Sequence, residues 1–186
     1  MELLDAAKAL AAFPTRFVLR QTVIQRDPTL LERYIRALED YIDALHRLDD
    51  ILGATLHTVA REKQQLSRHC DILRQNIRTF EAEGNTDLAM MARHRLTAFQ
   101  QLKASYDRLS RQQEQERDTY RTIRLQLEAT LSETRRYQDD IQDGFEEGRT
   151  SEALLQTLGL KGNEAWDEEH LSKMLRQLLS PEPEPL

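Results

Sequence analysis

Phe80-Glu81-Ala82-Glu83-Gly84-Asn85-Thr86-Asp87-Leu88 lies near the middle of this chain and sets how it folds. It holds the one break between two runs of helical periodicity, Pro28 to Glu83 and Thr86 to Gln142, that are nearly equal in length. Gly84 can take the left-handed conformation that ends a helix, Asn85 or Thr86 can cap the next one, and Asp87 would sit at its positive end. A chain divided in this way is expected to be all-α, folding back on itself as one long antiparallel helical hairpin. Each arm of about 56 residues, at about 1.5 Å rise per residue, gives a rod on the order of 84 Å long. Such a rod leaves no room for an enclosed pocket, so its function is expected on its long surfaces and at its two ends.

Both arms carry a coiled-coil stripe. The first reads Leu31, Ile35, Leu38, Ile42, Leu45, Leu48, Leu52, Thr55 and Val59, then Leu66, Leu73, Ile77 and Phe80, at spacings of mostly three and four. The second answers with Leu88, Met91, Phe99, Leu102, Tyr106 and Leu109, then Tyr120, Ile123, Leu127, Leu131, Thr134 and Ile141. Asp27 before Pro28 is a good N-cap and Pro28 suits a first helical turn, so this dipeptide marks the start of the first arm. Between Ser110 and Thr119 the second stripe is polar, with Gln113 and Glu116 at core positions facing the neighbourhood of Gly53 to Arg61. Two readings stand for this section: a hydrated stretch that adjusts register, or a point where the rod bends.

Composition agrees with an elongated helical protein. Of 186 residues 31% are charged and only 6% aromatic, which argues against a thick core. Cys70 stands alone, so no intramolecular disulfide forms and a reducing compartment is expected. No stretch of about 18 apolar residues is present to span a membrane. Glu2 and Asp5 occupy the place of a basic leader, so no signal peptide is expected and the cytoplasm or its membrane surface is the expected address.

Charge divides along the chain. Residues 1–27 carry four basic and three acidic side chains, 28–142 carry 18 and 19, and 143–186 carry four and ten. The near-neutral shaft interleaves both signs and lacks the basic stripe that phosphate neutralisation needs, which excludes nucleic acid as the main ligand. Catalysis is not expected. His46, His57, His69, His94 and His170 contain no i, i+4 pair, there is no phosphate-cradling glycine loop, and Asp49-Asp50 and Asp139-Asp140 read as solvated helix faces. No metal or cofactor is expected either.

The flanks divide into a head at 1–27, short helices within 143–180 and an acidic Pro-Glu-Pro-Glu-Pro-Leu tail at 181–186, read as disordered. In the head Leu3, Ala6, Leu10, Phe13, Phe17 and Ile24 share a helical face, accompanied by Arg16, Arg20 and Arg26, as in an interfacial amphipathic helix. Pro14 would kink that helix. The same residues could instead pack on the open end of the rod. Past the hairpin, Thr150 or Ser151 can cap a helix through Leu158, and Asn163 a second through about Leu179. The second presents Trp166, Leu171, Met174, Leu175, Leu178 and Leu179, an apolar face that needs a partner. It either folds onto its own rod or docks on a neighbouring subunit, with Trp166, Leu171, Leu175 and Leu178 as the assembly residues.

Taken in order, Arg26-Asp27-Pro28 with Leu30 and Leu31, the Glu39-Asp40 step, Ala60-Arg61-Glu62-Lys63-Gln64-Gln65-Leu66, the bend Gly84-Asn85-Thr86-Asp87-Leu88-Ala89 and Leu131-Ser132-Glu133-Thr134-Arg135 resemble the phage shock protein A family. Its relatives are the vesicle-inducing protein in plastids and, more distantly, the ESCRT-III proteins. The similarity covers roughly residues 17–142. It implies a cytoplasmic protein, peripheral on the inner face of a bacterial membrane, that polymerises with itself into rings or helical rods and remodels or protects that membrane. Carried over by position, Phe13, Arg16, Phe17, Arg20 and Ile24 would face anionic lipid, and Gly84, Asp87 and Leu88 would form the hairpin tip. The two acids of the head, Pro14 and the glycines at 144, 148, 159 and 162 depart from the family pattern. The alternative expectation is a soluble coiled-coil adaptor that holds a protein regulator such as an AAA+ transcription activator.

Overall fold

The computed structural model describes residues 2–161 and 166–179, and among these every regular element is an α-helix. In chain order they are α1 (Leu3–Ala12), α2 (Thr15–Gln25), α3 (Pro28–Ala82), α4 (Thr86–Glu146), α5 (Ser151–Thr157) and α6 (Glu168–Leu178). The long helices α3 and α4 pack together as the antiparallel hairpin expected from the sequence. Asp27 caps α3 as expected: its carboxylate accepts from the Thr29 amide at 3.0 Å and from the Thr29 hydroxyl at 2.6 Å. At the bend Gly84 takes φ +71°, the Asn85 amide reaches back to the Phe80 carbonyl at 2.8 Å and the Gly84 amide to that of Glu81 at 3.2 Å. This pair of bonds satisfies carbonyls that a helix end otherwise leaves orphaned, and the left-handed backbone it needs suits glycine. The second arm runs on to Glu146, past the expected end at 142.

Two compact units divide the chain: one holds the described residues up to Arg47 and from Tyr120 onward, the other Leu48–Thr119. The first has a thicker core than the composition suggested. Phe17, Val18, Leu19, Val23, Tyr34, Leu38, Leu127, Ile141 and Leu154 are all essentially without solvent exposure. Few aromatic residues suffice because four short helices gather around this part of the hairpin and concentrate the available leucine and valine there. Gly144 is part of that packing: a side-chain carbon at this position would overlap Leu154, so α5 lies against α4 only where α4 has no Cβ. The Tyr34 phenol is buried here, and its hydroxyl meets no partner in hydrogen-bond geometry. Burial pushes its pKa above the ordinary value, the nearby Thr15 hydroxyl opposes this, and the Glu133 carboxylate adds to the rise.

In the second unit the core is a single seam. On α3 it runs through Asp49, Leu52, Leu56, Val59, Lys63, Leu66, Cys70, Leu73, Ile77 and Phe80, and on α4 through Ala89, Ala92, Leu96, Phe99, Lys103, Tyr106, Ser110, Gln113 and Arg117. Both tracks alternate steps of three and four, the heptad pattern that keeps one seam facing its partner. The second track corrects the expected one. Leu88, Met91, Leu102 and Leu109 lie outside the seam, and the shorter Ala89 and Ala92 with Leu96 take the inner positions. Small alanines let the two backbones approach beside the bend, and the phase they set is inherited by the rest of the arm.

The polar stretch at 110–119 remains helical throughout. Arg117 crosses the seam to Asp49 at 2.5 Å, and its guanidinium occupies the space above Gly53. Lys63 meets Asp107 at 2.5 Å, which holds the Asp107 carboxyl below its usual range, and Arg93 pairs with Glu81 beside the bend. Asp49, Lys63 and Arg117, polar residues at seam positions, cost packing but fix register, because only one alignment satisfies the Asp49–Arg117 and Lys63–Asp107 pairs.

Candidate interaction surfaces

The head is not one interfacial helix. α1 stops at Ala12, the chain turns through extended backbone at Phe13 and Pro14, and α2 starts at Thr15, so Pro14 sits where its missing amide hydrogen costs nothing. The face expected to meet lipid is thereby split. Phe13 and Phe17 are buried, their rings in edge contact at 6.1 Å, and Phe13 lies 6.5 Å from Tyr34. Of the apolar residues expected at a lipid surface, Ile24 keeps an exposed side chain, at 46%. In this conformation Phe13 and Phe17 belong to the core because α1 and α2 fold against their own chain.

The arginines of the head are engaged as well, each with the segment that follows the hairpin. Arg16 donates to the Gly159 carbonyl at 2.6 Å. Arg20 lies 3.6 Å from the Glu168 carboxylate and 5.9 Å from the centre of the Trp166 ring. Arg26 donates to the Arg149 carbonyl at 2.8 Å and stacks 5.0 Å from the Phe145 ring. Arg26 also ends α2 in the left-handed region, at φ +50° and ψ +41°. The Ser151 hydroxyl, at the start of α5, donates to the Val23 carbonyl at 2.9 Å.

The expected assembly residues close the same cluster from the other side. Trp166 packs edge-on against Phe17 at 5.6 Å, Leu175 and Leu178 are buried, and Leu171 is half-buried against the core. Between the two readings of the last helix, the structure has it folded onto its own chain. Asp167 rather than Asn163 caps α6, accepting from the His170 amide at 3.0 Å; Asn163 and the 181–186 tail lie outside the described residues. Glu168 and Glu169 occupy the first turn and Arg176 the last, as the helix dipole favours. Glu152 of α5 is held below the usual carboxylate range by the Lys161 ammonium at 2.8 Å.

The hairpin-tip residues sit where the sequence placed them: Gly84 in the bend, Asp87 and Leu88 in the first turn of α4. Leu88 is 41% exposed, and with it Met91 at 55%, Leu102 at 44% and Leu109 at 40%. These four side chains, expected from their apolarity in the inner seam, form an exposed apolar face instead. Their spacing held the signal, because two heptad tracks one residue apart compete on α4 and only one can face α3.

Among the described residues no helix is long and apolar enough to cross a membrane, and no three His, Cys, Asp or Glu side chains gather as a metal site. No family model, curated protein or solved structure matches this chain.

Proposed function

We propose that this chain is a self-assembling scaffold of the ESCRT-III-like kind, acting without catalysis as a peripheral protein on the inner face of a bacterial membrane. The observation that carries the reading is the apolar face left on α4 after the intramolecular seam is complete: Leu88, Met91, Leu102 and Leu109 stay in water in the single chain. Isolated exposed leucines need no explanation, but four on one helical face, at positions of one heptad track, are what a further helix would cover. The order of residues around the hairpin, similar to that of phage shock protein A, points the same way.

Lipid contact in this reading belongs to a released head. With Phe13 and Phe17 packed on Trp166 and the core, and Arg16, Arg20 and Arg26 engaged by the C-terminal segment, the closed chain offers anionic lipid little to bind. Trp166→Ala removes the ring that covers Phe17. Co-sedimentation with anionic phospholipid vesicles tests this: the variant is expected to pellet more than the unaltered chain, and loss of residues 1–26 to abolish pelleting. Equal absence of pelleting from all three would contradict a membrane role. The burial of Phe13 and Phe17 favours a second reading, the soluble adaptor for a protein such as an AAA+ transcription activator. A chain that neither self-assembles nor binds vesicles, yet forms a stoichiometric complex with such an activator, would establish that reading instead.

A further inference from the structure

We infer that the outer face of α4 is a two-fold, antiparallel docking seam for a second copy of this chain, centred between Arg95 and Ala98. The inference rests on the self-assembly reading above and names the surface and the register. Leu88, Met91, Ala98, Leu102, Ser105 and Leu109 fall at steps of three, four and seven, and all are exposed. They therefore form a second heptad track beside the one that faces α3.

The track is complementary to itself when run in the opposite direction. Set antiparallel about its centre, Leu88 of one protomer meets the partner's Ser105 and Met91 meets the partner's Leu102, so large side chains lie opposite small or flexible ones and the layers fill. Arg95, also exposed, meets the partner's Ala98, which leaves room for its long stem. Leu109 comes level with the partner's Gly84 at the bend. Charge supports the same alignment: on the open flank of the track stand Asp87 near one end and Arg108 near the other, both exposed, and the antiparallel register brings Asp87 within two residues, about 3 Å along the axis, of the partner's Arg108 twice over. A parallel register would stack Arg95 on Arg95 in one layer. An isologous contact of this kind satisfies both copies with one surface and closes on itself, so it pairs two chains and any growth beyond the pair uses other surfaces.

Thiol cross-linking of the full chain, with sedimentation analysis of its mass, tests the seam. Mixed Leu88→Cys and Ser105→Cys chains are expected to cross-link to each other through a short bismaleimide, while Ser105→Cys alone does not. Leu102→Glu is expected to weaken self-association by about tenfold or more, since it buries a charge, with helical content unchanged. Arg95→Leu, which replaces the one charge in the track, is expected to strengthen it. Self-association that survives Leu102→Glu, or cross-linking of Ser105→Cys with itself, would overturn the seam and leave a scaffold built through other surfaces. A chain that is a monomer at every concentration would overturn both.

Discussion

Tyr34 and Gly144 show how single positions in the first unit limit what can be changed. The Tyr34 hydroxyl is buried with the Thr15 hydroxyl near it but no partner in good hydrogen-bond geometry, so it carries a desolvation cost that phenylalanine would not. Tyr34→Phe is expected to leave stability unchanged or raise it by up to about 1 kcal/mol in chemical denaturation. Burial holds the folded-state pKa of this phenol above 10.0, so its contribution is fully present below about pH 10 and lost as pH rises through the folded-state value. Unfolding followed between pH 8 and 11 should therefore show an alkaline loss of stability that is smaller in Tyr34→Phe. At Gly144 two effects oppose each other: alanine favours the helix by about 1 kcal/mol, whereas overpacking costs about 1–3 kcal/mol. Leu154 is fully buried and three of its side-chain carbons crowd the added methyl, so overpacking is expected to outweigh the helix gain and Gly144→Ala to lower the melting temperature. Adding Leu154→Ala, itself costly by about 2–5 kcal/mol, should then give less than the sum of the two losses.

Among the elements, the hairpin was legible in the sequence because its signals are local. The cap at Asp27, the bend at Gly84 and the heptad track of α3 each follow from residues a few positions apart. The phase of α4 was not, since Leu88, Met91, Leu102 and Leu109 outweigh Ala89 and Ala92 in apolarity while the alanines win on fit beside the bend. Nor was the fate of the head legible: the amphipathic pattern that would seat α1 and α2 on lipid also seats them on α5 and α6, and periodicity does not distinguish the two. The charge division held a hint, for a basic head and an acidic C-terminal segment are suited to meet, as Arg20 and Glu168 do. In the seam of the second unit, Asp49 is nearly buried against Arg117. Asp49→Ala, which strands that arginine, is expected to cost about 1–3 kcal/mol, while replacing both by leucine should be neutral or stabilising. The double variant is expected to loosen hairpin register, visible as broadened amide resonances around residues 49–59 and 110–117; unchanged resonances would assign register to the leucine layers alone.

For the whole molecule, the features bearing on function are the closed cluster of head and C-terminal segment in the first unit and the uncovered apolar face of α4 in the second. Under the proposed function, release of the first would precede membrane contact and the second would take the partner helix. Raised salt weakens exposed ion pairs such as Arg20–Glu168 but strengthens apolar association, so vesicle binding and self-association are expected to respond to salt in different ways. The central claim is that this chain works as an assembly of copies. Sedimentation velocity of the purified full chain over a wide concentration range tests it most directly. Species heavier than one chain, increasing with concentration and diminished by Leu102→Glu, are expected; a single boundary at the mass of one chain across the range would refute assembly.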